Sequence, residues 1–157
     1  MSLKLMELRD NVADILERET KSTILSWLRR VDAEPEIITV RLSDEERCAH
    51  LRNIFRDLVA RLRNPLPLGT RALISEAADD HGCLRRVQGY TPAMLVEESR
   101  MLQVSIFQTL QDHLIDLDLG VVLKDVMTIA DEVDSQLAQS MASYMLEASR
   151  EVELIRP

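Results

Sequence analysis

Apolar residues three and four positions apart run through this chain almost from end to end, and that spacing favours helices over every other element. The longest run is Leu123, Val126, Met127, Ala130, Val133, Leu137, Met141, Tyr144 and Met145. It predicts a final helix over residues 120–150, ending near Ala148, which is long for a small globular unit. Such a helix can dock in a bundle, pair with a second copy, or extend toward a neighbouring domain as a coiled coil; its spacing is compatible with each. Aromatic residues make up only 3% of the 157 residues, and the apolar content rests on Leu, Ala, Val, Met and Ile, so strand formers are scarce. The expected fold is all-α: one domain, 1–157, built as a bundle of about five to six helices with a long C-terminal helix.

Boundaries follow from caps and breakers. Leu5, Leu8, Val12, Ile15 and Leu16, then Ile24, Leu25, Trp27, Leu28 and Val31, predict one long helix or two short ones up to Pro35. Trp27 is expected in the core, with its indole N–H reaching a polar partner. Ser43 and Glu46 have the spacing of a capping box, opening an amphipathic helix from Arg47 to Arg63 that Pro65 and Pro67 terminate. Residues 69–81 read as another helix, with Leu73, Ile74, Ala77 and Ala78 inward and Gly82 as its terminator. The stretch 82–90 reads as an irregular turn. Thr91 and Pro92 then start a helix that runs to about Leu114, its apolar side interrupted by Glu98.

Charge narrows the functional classes. The net charge is −8, and all of that excess lies after Val96, where 4 basic residues face 12 acidic ones. A nonspecific nucleic-acid surface needs a basic stripe to displace phosphate counterions, and anionic membrane needs the same, so neither is an expected partner. No run of 18 apolar residues occurs and the first residues lack a signal-peptide core, which predicts a cytoplasmic protein. Cys48 and Cys83 are expected as reduced thiols.

Motifs for chemistry are sparse. His50, His81 and His113 form no short ligand pattern, and there is no paired Cys-x-x-Cys, no Gly-rich phosphate loop and no Gly-x-Ser-x-Gly. No metal, cofactor or catalytic residue is therefore assigned, and the chain is not expected to be an enzyme. The densest polar constellation is His81, Arg85, Arg86, Gln88, Tyr90 and Glu98. It reads either as a structural corner, in which Glu98 pairs with an arginine while His81 and Gln88 bond backbone at helix ends, or as a signalling pocket. An acid–base pair of His81 with Glu98 is a weaker third reading. A haem-binding or other cofactor-binding sensor is the alternative, with His81 or His113 as ligand, because one helical histidine suffices for haem.

The string HGCLRRVQGYTPAMLVEESRML, with His81, Gly82, Arg85, Gln88, Gly89, Tyr90, Leu95, Val96, Glu98 and Leu102, resembles the amino-terminal domain of the RsbR-type (RsbT) co-antagonists, bacterial regulators of the general stress response. The resemblance covers about residues 10–115. It implies a globin-like, all-helical sensor module that needs no haem, placed before a STAS domain or a histidine-kinase core and able to form homodimers. Such a module is a non-catalytic signal-input and protein-interaction domain of a stress-response regulator or sensor histidine kinase. Neither output domain precedes Pro157, so no phospho-acceptor histidine carries over, and the ligand sensed is left open.

Overall fold

The computed structural model describes residues 11–70 and 74–157, and every regular element in them is helical. Leu5, Leu8 and Leu73, which the sequence assigned to helices, lie outside the described residues. The opening stretch is two helices, α1 (Val12–Arg18) and α2 (Thr20–Asp32), separated at Glu19. The Asn11 side chain accepts from the Asp14 amide to start α1, and the Thr20 hydroxyl bonds the Leu16 carbonyl across the break. Hydroxyl groups of this kind satisfy orphan backbone groups at helix ends and compete with continuation.

The expected helix from Arg47 to Arg63 is divided. A single turn, α3 (Asp44–Arg47), carries the Ser43–Glu46 capping box, and α4 (Leu51–Arg63) follows after the turn at 48–50. The break coincides with the burial of Arg47, whose guanidinium donates to the Tyr90 hydroxyl at 2.6 Å and to the Val40 carbonyl at 2.8 Å. Beyond that point the apolar side of the expected amphipathic helix is inward: Leu51, Ile54, Phe55, Leu58 and Val59 are all buried.

The helix expected over 69–81 is displaced. Gly69 sits in a turn with φ of 75°, Ile74 precedes the helix and is 86% exposed, and α5 runs from Glu76 to Val87 behind a Ser75 cap. Gly82 therefore lies inside the helix and ends nothing. Its role is clearance: a Cβ there would stand 2.0 Å from the Ser140 carbonyl oxygen. The terminator is Gly89, whose φ of 92° is one that glycine adopts without a Cβ penalty.

Thr91 caps α6 (Pro92–Asp112), with proline in its first turn, where a missing N–H costs nothing. A short 3₁₀ turn, Leu114–Asp116, leads to α7 (Leu119–Ile155), 37 residues long and reaching past the expected end at Ala148. At 1.5 Å per residue it spans about 55 Å. Trp27, Val31, Ile37, Phe55, Leu58, Ile106 and Ile129 belong to one apolar core shared by α2, α4, α6 and α7. None of the helices in the described residues is long and apolar enough to cross a membrane.

The face that α7 buries coincides with the expected stripe only in part: Val133 and Tyr144 are buried and Val126 packs against the core. Leu123, Met127 and Met145 are 70%, 49% and 56% exposed, whereas Thr128, Glu132, Gln136, Ser140 and Tyr144, four residues apart, are buried alongside Ile129 and Val133. The cause is that three of these polar side chains dock on backbone. Gln136 donates to the Ile54 carbonyl, Ser140 to that of Ala78, and Tyr144 to that of Tyr90, at 3.2, 2.7 and 2.6 Å. A buried polar group with a partner loses little on leaving water, and these bonds fix how far along its axis α7 sits against α4 and α5.

Candidate functional site

Helical spacing sets His81 and Arg85 one turn apart on the same side of α5, facing Glu98 on α6. Glu98 is 3% exposed and its Oε1 accepts from His81 Nε2 at 2.7 Å and from Arg85 Nε at 2.9 Å. Burial pushes the Glu98 carboxyl up, but the hydrogen bonds and charges of His81 and Arg85 outweigh it and hold the group below its ordinary value. Arg85 is itself fully enclosed. It donates through Nη1 to Gln88 Oε1 at 2.7 Å and through Nη2 to the Arg47 carbonyl at 2.6 Å, and it lies over the Tyr90 ring at 4.6 Å. Each nitrogen of the guanidinium thus meets an acceptor, and one of its faces an aromatic ring.

Tyr90 ties the corner to two more elements. Its hydroxyl accepts from Arg47, its carbonyl accepts from Tyr144, and burial pushes its phenol up to about 12. Arg86 points away from Glu98 toward the end of α7, where it donates to Glu151 at 2.8 and 3.0 Å and to the Tyr144 hydroxyl at 3.2 Å. The structure accordingly brings His81, Arg85, Gln88, Tyr90 and Glu98 into one network and places Arg86 in a second cluster, joined to the first through Tyr144. His81 and Gln88 bond side chains, Glu98 and Arg85, where the sequence suggested backbone at helix ends.

Three participants escaped the sequence reading. Arg47 stands in the sequence only as the first residue of the expected amphipathic helix, Tyr144 as one more residue of an apolar stripe, and His50 as a histidine in no ligand pattern. His50 meets His81 edge to face with ring centroids 6.0 Å apart. Burial, reinforced by His81, holds its imidazole below the ordinary value, so it favours the neutral form. The only sequence sign for Tyr144 was its four-residue register with Thr128, Glu132, Gln136 and Ser140.

Beside the network lies a small cavity of about 30 Å³, lined among others by Trp27, His81, Leu95, Glu98, Gln136 and Ser140. That is room for a water molecule or two. Glu98 Oε2 is buried without a hydrogen-bond partner, while the Trp27 indole donates to the Glu98 carbonyl at 3.0 Å. The His81–Glu98 contact has the distance of an acid–base pair, yet the carboxylate oxygen is shared with Arg85. A haem would require the helices around His81 to part. His113 is engaged elsewhere, its Nδ1 2.8 Å from the Thr109 carbonyl and its Nε2 3.6 Å from Glu19. Among the described residues no group of three His, Cys, Asp or Glu side chains is placed to hold a metal ion. Cys48 and Cys83 are free thiols, both held protonated more firmly than usual by burial.

No family model matches the sequence, and no match was found among curated proteins or solved structures.

Proposed function

We propose that this chain is a non-catalytic signal-input and protein-interaction module of a bacterial stress-response regulator or sensor histidine kinase, acting as a homodimer through α7 and passing its signal along that helix. The observation that carries the reading is the far end of α7. Tyr144 is its last fully buried residue, yet the helix continues to Ile155 with Met145, Leu146, Val152, Leu154 and Ile155 more than half exposed. Ala138, Met141, Met145, Ala148, Val152 and Ile155 alternate at three and four residues, the spacing of a coiled-coil seam. A second copy is the occupant that a seam of this kind fits.

The corner around Glu98 supports the non-catalytic part. His81, Arg85 and Glu98 bond one another, and Arg85 also bonds backbone, which suits a rigid joint between α5, α6 and α7 better than turnover. The resemblance to the RsbR-type sensor domains points the same way and adds the output partners, a STAS domain or a kinase core.

Sedimentation equilibrium of the full chain over a hundredfold concentration range tests the proposal. The expected result is a dimer, converted to monomer by Met145→Glu with Val152→Glu and unchanged helical content. A wild-type chain that stays monomeric throughout overturns it.

A further inference from the structure

Between α4 and α7, away from the Glu98 corner, a second buried charged group has no complete set of partners. Glu132, in the middle of α7, is 3% exposed. Its Oε1 accepts from Gln136 Nε2 at 3.2 Å, and its Oε2 is buried with no hydrogen-bond partner. Opposite it on α4 stands Arg61, 4% exposed, with Nε and Nη1 buried and equally unpartnered. Among the described residues the one bond the guanidinium makes is from Nη2 to Asp131 Oδ2 at 3.1 Å, and Asp131 also accepts the Gly69 amide on both oxygens, at 3.1 and 3.2 Å. A cation with two idle donors therefore faces an acid with one idle acceptor, while its present partner already has another donor.

Orphaned buried donors and acceptors are costly, and two sets of them on facing helices define an arrangement with a second solution. We propose that Arg61 and Glu132 form a proton-operated latch between α4 and α7: with Glu132 neutral the guanidinium holds Asp131, and when Glu132 releases its proton to water the guanidinium turns Nε and Nη1 to it and leaves Asp131, whose carboxylate keeps the Gly69 amide. The groups that bias the exchange are Arg61 and Asp57 from α4 and Asp131 and Gln136 from α7. Asp57 accepts the Ser75 hydroxyl at 2.6 Å, and Ser75 also donates its amide to Gln139, so the connection between α4 and α5 adjoins the same cluster.

Energetics place the exchange in the physiological range. Burial pushes the Glu132 carboxyl up to about 7 against the pull of Arg61, with Asp57 and Asp131 adding to the rise and Gln136 opposing it. A carboxyl so placed is part neutral and part ionised at neutral pH, so a modest pH change shifts the populations of both arrangements. This latch is independent of the dimer and of the input-domain reading, since it needs only the folded chain.

The test is an NMR titration of the full chain from pH 5 to 9 that follows the Glu132 side-chain carboxyl carbon, the Arg61 Nε–H and the Gly69 amide together. Loss of one signal in Glu132→Gln assigns the carboxyl. Expected are a Glu132 midpoint within a unit of 7 and Arg61 and Gly69 shifts with that same midpoint. In Glu132→Gln the Arg61 and Gly69 responses vanish. A Glu132 midpoint below 5, or Arg61 and Gly69 signals that do not move as Glu132 titrates, overturns the latch. Both readings are made on the wild-type chain, so they stand even where the variant folds poorly.

Discussion

Replacing Gly82 with alanine sets two well-understood effects against each other. In an exposed helix interior, Gly→Ala stabilises by about 1 kcal/mol, because alanine loses less backbone entropy. At Gly82 the new Cβ would stand 2.0 Å from the Ser140 carbonyl oxygen, 2.7 Å from its carbon and 2.8 Å from its Cα. All three are backbone atoms, so no side-chain rotation relieves the contact. Ordinary van der Waals separation requires α5 and α7 to part by more than about 1 Å in a close-packed seam, and overpacking of this kind typically costs about 1–3 kcal/mol, occasionally more. The same movement stretches the Ser140–Ala78 bond of 2.7 Å, adding about 1 kcal/mol. The net expectation is a loss of about 1–3 kcal/mol after the helix-propensity gain is subtracted. Urea denaturation followed by far-UV circular dichroism reads it directly as a lower midpoint at unchanged slope. Gly82→Ala with a midpoint equal to or above wild type would refute the close approach of α5 to α7.

Other outcomes follow from the buried polar groups. Glu98→Gln removes the charge that Arg85 and His81 face and should cost about 2–4 kcal/mol in the same denaturation assay. A loss under 0.5 kcal/mol would mean that Arg85 is satisfied without Glu98. Tyr144→Phe leaves the Tyr90 carbonyl without its donor, and a drop of about 1–2 kcal/mol is expected with packing otherwise kept. Because Glu132 binds its proton more tightly folded than unfolded, the native chain holds the extra proton between the unfolded carboxyl value and about 7, and Glu132 makes stability decline as pH rises through that window. The decline should reach up to about 3 kcal/mol and be absent from Glu132→Gln, measured by urea midpoints from pH 5 to 8. A slope identical in the two proteins would remove the shifted carboxyl.

What was legible in the sequence was whatever local chemistry decides. The Ser43 box, the Thr91–Pro92 start and the inward stripe of α4 each depend on residues a turn or two apart, and each is where the sequence put it. The errors arose where a partner far along the chain decides. Gly82 looks like a terminator until Ser140 is seen against it, and the true stop, Gly89, differs from it only in a backbone angle that tertiary packing selects. Residues 82–90 looked irregular for the same reason. On α7 the apolar stripe was real, but hydrophobicity alone could not tell which face docks, because the buried one meets backbone carbonyls that only polar side chains satisfy. Within the corner, the grouping of Arg85, Gln88, Tyr90 and Glu98 followed from helical spacing and a short connection. Arg47 and Tyr144 reach it from 43 and 54 positions away from Tyr90, and no spacing rule links them.

The docking of α7 on carbonyls also sets the grain of any motion along its axis. Gln136, Ser140 and Tyr144 act as teeth spaced four residues apart, about 6 Å at the helical rise, and the carbonyls of Ile54, Ala78 and Tyr90 are the notches they enter. A slide of a fraction of a turn leaves every tooth between notches, with all three bonds broken at once. A slide of a whole turn that brings the next residue of the row to each notch sets Ala148, which has no polar group, at the Tyr90 carbonyl. The helix is therefore keyed to one axial register, in which all three bonds close together and Gly82 alone leaves room for the Ser140 backbone.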